Sequence, residues 1–234
     1  MTDNSEVHRW YDALGVFDLE TTGIDVATSR IVSANVSVLD AGGEIVERTD
    51  WLADPGVEIP PQASAVHGIT TERAQREGRA AVDVVAEIVS AITSILSRGL
   101  PLVVYNAPYD ISLLRHEAVR HGVEPLRNPS PIIDPLVIDK AMDQFRRGKR
   151  TLEAAAAEYG VELMDAHDAG ADAIAAGRVA QAIARRNLDR LSVSALELHG
   201  LQVGWSAQQS ASFAEYMRRT HNPDFVETSG WPQR

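Results

Sequence analysis

Val16-Phe17-Asp18-Leu19-Glu20-Thr21-Thr22-Gly23 decides how this chain is read, because an apolar run that begins at Ala13 ends by presenting carboxylates at positions i and i+2. Successive side chains of a strand point to opposite faces, so Asp18 and Glu20 share one face. Two like charges side by side at the end of a buried strand repel each other and lose hydration. Such a pair persists mainly when a cation neutralises it. The stretch therefore predicts a divalent-metal site at the end of a core strand.

Working outward, strands are expected over Ala13 to Asp18, Ile31 to Leu39 and Glu44 to Leu52, the last two joined by the hairpin signal Asp40-Ala41-Gly42-Gly43. Asp54 to Ile69 is rich in Pro and Gly and predicts a loop. Val82, Val85, Ile88, Val89, Ile92, Ile95 and Leu96 then recur at helical spacing, and Gly99 and Pro101 stop the helix. Leu102 to Tyr105 reads as a short strand, with Pro108 placed to open a helix that runs through Arg120. A strand and helix follow around Ile132 to Met142, and a helix over Thr151 to Tyr159 is closed by Gly160. Ala169 to Arg186 is an alanine-rich helix with Arg178, Arg185 and Arg186 toward its C-terminal end, where cations suit the dipole. Strands first and alternation later indicate an α/β fold. Beyond Leu191 apolar residues thin out and Trp205, Phe213, Tyr216 and Trp231 punctuate polar stretches, which predicts a helical appendage packed on the core or on a partner. The expected division is a polar N-terminal segment at 1–12, a main domain at 13–187 and a mainly helical C-terminal extension at 188–234.

Composition narrows the chemistry. With 234 residues, 44% of them hydrophobic, the chain is long enough for one well-cored domain. It has no cysteine, so any metal must sit on oxygen or imidazole, the donor set that suits magnesium or manganese. A net charge of −11 argues against broad coating of nucleic acid, although a carboxylate site filled with cations still engages a few phosphates locally. Residues 1–12 are polar, with no apolar core for a signal peptide, and no segment approaches the roughly 18 apolar residues of a membrane span. A cytoplasmic setting is expected.

Two further motifs join the acidic pair. Asn106-Ala107-Pro108-Tyr109-Asp110 follows a strand and begins a helix, placing Asp110 in the first turn, where the helix dipole favours its ionised form. His167-Asp168-Ala169-Gly170-Ala171-Asp172 opens the alanine-rich helix. Residues five apart on a helix point about 140° from each other. His167 and Asp172 therefore converge only if His167 sits on the preceding loop.

With these motifs in order, the chain from about Leu14 to Arg186 resembles the DnaQ-type, or DEDDh, 3′→5′ exonucleases of the ribonuclease H-like superfamily. The resemblance implies a mixed sheet flanked by helices. It implies that Asp18, Glu20, Asp110 and Asp172 hold two Mg2+ or Mn2+ ions, with Asp18 bridging them, and that His167 is the general base. Two ions about 4 Å apart suit an in-line displacement at phosphorus, and imidazole suits proton removal near neutral pH. Val66-His67-Gly68-Ile69-Thr70 resembles the family's substrate-side loop. By that likeness Leu19, Thr21 and the His67 to Ile69 loop meet the terminal nucleotide, while Asn106 and Tyr109 meet the penultimate one. Tyr109 stands where the family more often has Phe.

The implied function is a stand-alone exonuclease that releases nucleoside 5′-monophosphates from the 3′ end of nucleic acid. Thr21-Thr22 looks more like proofreading and repair exonucleases than like oligoribonuclease, which favours single-stranded DNA over RNA as substrate. The alternatives are an RNA 3′-end exonuclease, or a polymerase-associated proofreading or docking subunit whose partner binds through the extension. Outside the motifs, Asp134 and Asp139 read as capping or surface acids, and Trp205 and Phe213 as packing anchors. His8, His116, His121, His199 and His221 read as surface or partly packed. Arg146-Arg147-Gly148-Lys149-Arg150 reads equally well as a solvated face or as a basic rim that steers a nucleic-acid strand inward.

Overall fold

The computed structural model describes residues 9–163, 167–227 and 230–233, so most of the expected N-terminal segment lies outside the described residues. The acidic stretch belongs to a central strand, β1 (Ala13–Thr21), which pairs antiparallel with β2 (Ile31–Asp40), as β2 does with β3 (Ile45–Asp54). The hairpin closes as its sequence predicts: the Asp40 carboxylate accepts the N–H groups of Gly42 and Glu44, and Gly43 takes a φ of +82°. Past β3 come α1 (Pro61–His67), α2 (Thr71–Glu77), a short β4 (Arg79–Ala80) and α3 (Ala81–Ser97). Then follow β5 (Leu102–Val103), α4 (Ala107–Arg120), β6 (Ile132–Ile133) and α5 (Pro135–Met142). The remaining helices are α6 (Leu152–Tyr159), α7 (Ala169–Arg186), α8 (Leu188–Leu191) and α9 (Ala195–Thr220). The sheet order is β4-β3-β2-β1-β5-β6, with β5 and β6 parallel to β1. This is the mixed sheet flanked by helices that the family resemblance implies.

Alternation along β1 builds both layers. Phe17 and Leu19 pack into a core with Val84, Ile88 and Ile92 of α3 and Ile111 of α4. Leu14 and Val16 face the opposite core, with Val179, Ala180 and Ile183 of α7. Two glycines allow this close approach: a Cβ on Gly15 would come within 2.6 Å of Ile95, and one on Gly177 within 2.5 Å of Val16. Continuing the period-2 pattern, Asp18 and Glu20 fall on the α7 side. Gly177 crosses β1 beside Leu14 and Val16, and Asp172 lies five residues earlier, so α7 runs antiparallel to β1 with its first turn over the carboxylates.

Three expectations are corrected. Asp54 to Ile69 is not loop throughout, because Pro61 opens α1 at a position that tolerates its missing N–H, and Gly68 closes it with a φ of +73°. The strand expected over Leu102 to Tyr105 stops at Val103; Asn106 turns left-handed, at a φ of +61°, to start α4. Asp139 is neither a cap nor a surface acid. It is fully buried and accepts hydrogen bonds from Arg146, from Arg150 at 2.8 Å and from the Tyr159 hydroxyl at 2.8 Å. Within the basic run, Arg146 and Arg150 are thus turned inward, while Arg147 and Lys149 are exposed.

The appendage packs on the core. Leu198 of α9 is buried, His199 Nδ1 accepts the Ile132 N–H at 3.0 Å, and Gln202 bridges Ile132 and Asp134 through its two amide atoms. Trp231 stacks obliquely on His199, with ring centroids 5.0 Å apart. Among the described residues, no helix is long and apolar enough to cross a membrane.

Candidate active site

Three elements bring the four predicted carboxylates together. β1 supplies Asp18 and Glu20, the first turn of α4 supplies Asp110, and the first turn of α7 supplies Asp172. They line one cleft of about 420 Å3 with Leu19, Asn106, Tyr109 and His167. Local sequence accounts for each placement. Asp168 caps α7 by accepting the Ala171 N–H at 3.0 Å, which leaves His167 outside the helix, in a left-handed conformation with φ of +71°. From there its N–H reaches the Asp172 carboxylate at 3.3 Å. The loop position required for His167 and Asp172 to converge is the one observed.

Electrostatically the cluster is frustrated. Burial holds the Asp18 carboxyl well above the usual carboxylate range, reinforced by the charges of Asp110, Glu20 and Asp172. Burial, then Asp172 and Asp110, push Glu20 up to about 8. Asp110 is raised as well, chiefly by burial, against the main-chain N–H groups of Asp110 and Leu19 that pull it down. For Asp110, burial therefore outweighs the helix-terminal field that the sequence suggested would favour ionisation. Asp172 is also raised by burial. One buried oxygen of Asp110 and one of Asp172 have no hydrogen-bond partner. Carboxylates that are crowded, desolvated and partly unpartnered fit hard divalent cations, which take oxygen ligands. Ligand atoms of Glu20, His167 and Asp172 lie within 4.8 Å of one another, so the imidazole is close enough either to ligate an ion or to act beside one.

The predicted substrate side is partly assembled. The Thr21 and Tyr109 hydroxyls lie 2.5 Å apart and converge on the Gly23 carbonyl oxygen, at 2.8 and 2.5 Å. The tyrosine thus ties the end of β1 to α4, a tie phenylalanine cannot make. His67 ends α1, where its Nδ1 accepts the Ile69 N–H at 3.2 Å; burial lowers its pKa, against the Thr21 main chain, which raises it. Ile69 does not face the cleft, since its side chain is buried with Val32, Ile59 and Ala74.

Some lining residues escape sequence reading. Tyr105, Leu136, Thr151 and Leu152 complete the cleft wall, beside Arg150 of the basic run that the sequence offered as a rim. Glu153 of α6 places a carboxylate oxygen 3.6 Å from His167 Nε2. Thr151 caps α6, and that cap is the local signal that a helix begins at the rim. Asp134 caps α5 as expected, accepting the Leu136 N–H. It is also buried, and it accepts the N–H groups of Asn106 and Ala107 at 3.0 Å each and the Trp231 indole N–H at 3.2 Å. α4 has no side-chain cap of its own at Asn106, so Asp134 caps it from across the fold.

Comparison with known proteins gives the family and the fold. The family model RNase_T, described as exonuclease, matches residues 16–180. The PolC-type DNA polymerase III of Lacticaseibacillus paracasei is 26% identical over 190 residues, covering 81% of this chain and 12% of the polymerase. A DNA polymerase III subunit epsilon-like protein of Rhodobacter capsulatus is 28% identical over 172 residues, covering 68% of this chain and 22% of that protein. Among solved structures, E. coli Exonuclease I in complex with a dA16 oligonucleotide superposes with a TM-score of 0.67 at 22% identity, covering 76% of this chain and 42% of the other. Exonuclease I from Methylocaldum szegediense superposes with a TM-score of 0.63 at 24% identity, covering 76% and 41%. The chain thus spans about an eighth of the polymerase it matches and about two fifths of the Exonuclease I chains.

Proposed function

The chain belongs to the RNase_T exonuclease family, and from that premise we propose that it is a 3′→5′ exonuclease that cleaves terminal phosphodiester bonds and releases nucleoside 5′-monophosphates. The observation that carries this reading is the meeting of four carboxylates from β1, α4 and α7 in one cleft, two of them with unpartnered oxygens. Asp18, Glu20, Asp110 and Asp172 would hold two Mg2+ or Mn2+ ions, Asp18 being the residue whose charge feels all three others. Such ions would neutralise the cluster, polarise the phosphodiester and stabilise the leaving 3′-oxygen.

The remaining work falls to the chain's own side chains. His167 takes the proton of the attacking water, and a carboxylate oxygen of Glu153 lies 3.6 Å from its Nε2. Its exposed, left-handed position on the turn before α7 lets the ring swing without unwinding the helix. Tyr109 presents a ring for stacking while its hydroxyl fixes Thr21, and Asn106 stands beside it at the helix start. His67, against the Thr21 main chain, closes the side where the terminal nucleotide would lie.

Single-stranded DNA is the substrate we favour, on the Thr21-Thr22 form of the first motif and on the oligonucleotide-bound structures of Exonuclease I. Digestion of 5′-labelled single-stranded DNA, duplex DNA and RNA side by side tests this. Shortening from the 3′ end, fastest on single-stranded DNA and abolished by chelation, is expected; internal cuts or 3′-monophosphate products would refute it. A second reading, a proofreading subunit that works beside a polymerase, is favoured by the PolC-type and epsilon-like relatives. Copurification of the full chain with a DNA polymerase, at a constant ratio through several columns, is its test.

A further inference from the structure

The catalytic cleft does not end at Asn106. Asn106 and Leu136 also border a cavity of about 190 Å3 that runs under Trp231, between α5 and α9. Lys140, Gln209 and Phe213 line both that cavity and a neighbouring groove of about 600 Å3, whose wall also holds Arg190 and Trp205. We infer that this groove receives the single-stranded portion of the substrate lying 5′ of the nucleotides at the catalytic end. The inference rests on the exonuclease reading and extends it to surface that the C-terminal extension provides.

Charge is the first argument. In a chain of net charge −11, the groove wall contains Lys140 and Arg190 but no Asp or Glu. Neither cation makes an ion pair among the described residues, whereas Arg146 and Arg150 of the basic run are committed to Asp139. The narrower middle carries Asp134 and Glu227 and shares Lys140 with the groove, so phosphates are expected at Arg190 and on the groove side of Lys140. Ring surface is the second argument: Trp205 lines the groove and Phe213 is 49% exposed, and flat rings beside unpaired cations suit a flexible strand of bases and phosphates. Continuity is the third. A groove that joins the cleft through shared walls favours more of the same strand over an acidic peptide, which would need no such passage.

The test compares ligand lengths. Thymidine 5′-(p-nitrophenyl phosphate), too short to reach the groove, reports the catalytic centre alone. Fluorescent oligothymidylates of three and nine nucleotides, bound to the His167→Ala chain in magnesium, report the groove by anisotropy. The nine-mer is expected to bind at least about ten-fold tighter than the three-mer, with Lys140→Gln plus Arg190→Gln removing most of that gain. The same pair of changes should lower the log-log salt slope by about 1.4, at roughly 0.7 per phosphate. Phe213→Ala should weaken the nine-mer about five-fold or more, as the loss of one stacked base does. Ester turnover and three-mer affinity should stay unchanged in all three substitutions. Equal affinity for the two lengths, or a length gain that survives the substitutions, overturns the groove. So does an Asp-rich peptide whose binding depends on Lys140 and Arg190 while oligonucleotide affinities do not. If the intact chain fails to hydrolyse the ester, the catalytic reading falls, and the length comparison still decides the groove.

Discussion

Two acidic centres sit within one fold and are treated in opposite ways. Around Asp139, two guanidinium groups and a tyrosine hydroxyl satisfy one carboxylate completely. Around Asp18, three more carboxylates crowd in, burial raises every member, and buried oxygens of Asp110 and Asp172 are left without a hydrogen-bond partner. In the first the carboxylate is neutralised by the polypeptide itself, although Arg146 Nε is left without a partner; in the second the negative charges are neutralised only by something added. A buried charge with all its partners is evidence about stability, whereas one without them is evidence about chemistry.

The sharpest way to break this contrast is to neutralise one member of each centre. Asp18→Asn or Asp110→Asn should lower turnover by more than about 10³-fold, consistent with losing the charge-stabilising part of a metal-assisted displacement. Melting of the same chains in chelator should be unchanged or raised, because each substitution relieves like-charge repulsion. Near-wild-type turnover at saturating magnesium or manganese would end the metal assignment.

His167→Ala follows in size. Its turnover should fall by roughly 10²- to 10⁴-fold, the usual cost of losing a positioned general base, while metal and substrate affinities hold. The limb of the rate profile that rises with pH should vanish in the variant. Because ligand atoms of His167, Glu20 and Asp172 lie within reach of a single ion, retained turnover with lost metal affinity would make the imidazole a ligand instead.

Asp139→Asn should do the reverse of Asp18→Asn. It leaves the Arg150 charge without its anion and Arg146 with only Glu158 at 4.0 Å, each arginine being 13% exposed, and should cost about 3 kcal/mol of stability. Denaturant unfolding measures that loss. Residual folded protein should keep its turnover per molecule, and a stable but inactive variant would place Asp139 in the chemistry.

The smallest effect concerns pH. Glu20 keeps its proton to about 8 in the folded, metal-free chain, whereas an unfolded glutamate gives it up near 4.5. Between those values the folded state binds more protons, so stability without metal should fall as pH rises through the window. Added magnesium should reverse the trend, stabilising more at each higher pH, since its ligands must be deprotonated. Melting temperatures taken at four pH values, with chelator and with magnesium, check both slopes; a flat chelator series would mean that Glu20 is more hydrated than the cleft suggests.

Much of this was legible in the sequence because it depends on local rules. The period of two along β1 already places Asp18 with Glu20, and the five-residue spacing of His167 and Asp172 already requires His167 on the turn if the two are to converge. The Asp54 to Ile69 loop was misread for an equally local reason: Pro60-Pro61 looks like a breaker, yet proline at the first helical position starts α1. What stayed hidden depends on distance in sequence. Nothing near Asp139 announces that Tyr159, twenty positions on, will reach it, and nothing near Glu153 announces His167. Asp134 shows both limits at once. Its cap on α5 is readable from Asp134-Pro135-Leu136, but its hold on α4 and its bond from Trp231 are not.

That last residue also bears on how such chains can be recombined. Gln202 and Trp231, both past Asn187, donate to or accept from the very residue that anchors the start of α4. A crossover that joined this chain's first 187 residues to a relative's tail would leave Asp134 with an unmatched N–H and one fewer donor in a buried site. The seam that sequence draws between domain and extension is therefore a poor place to cut or graft. Inheritance of the tail and of the helix bearing Asp110 should be linked, so that each swap succeeds only when both come from one parent.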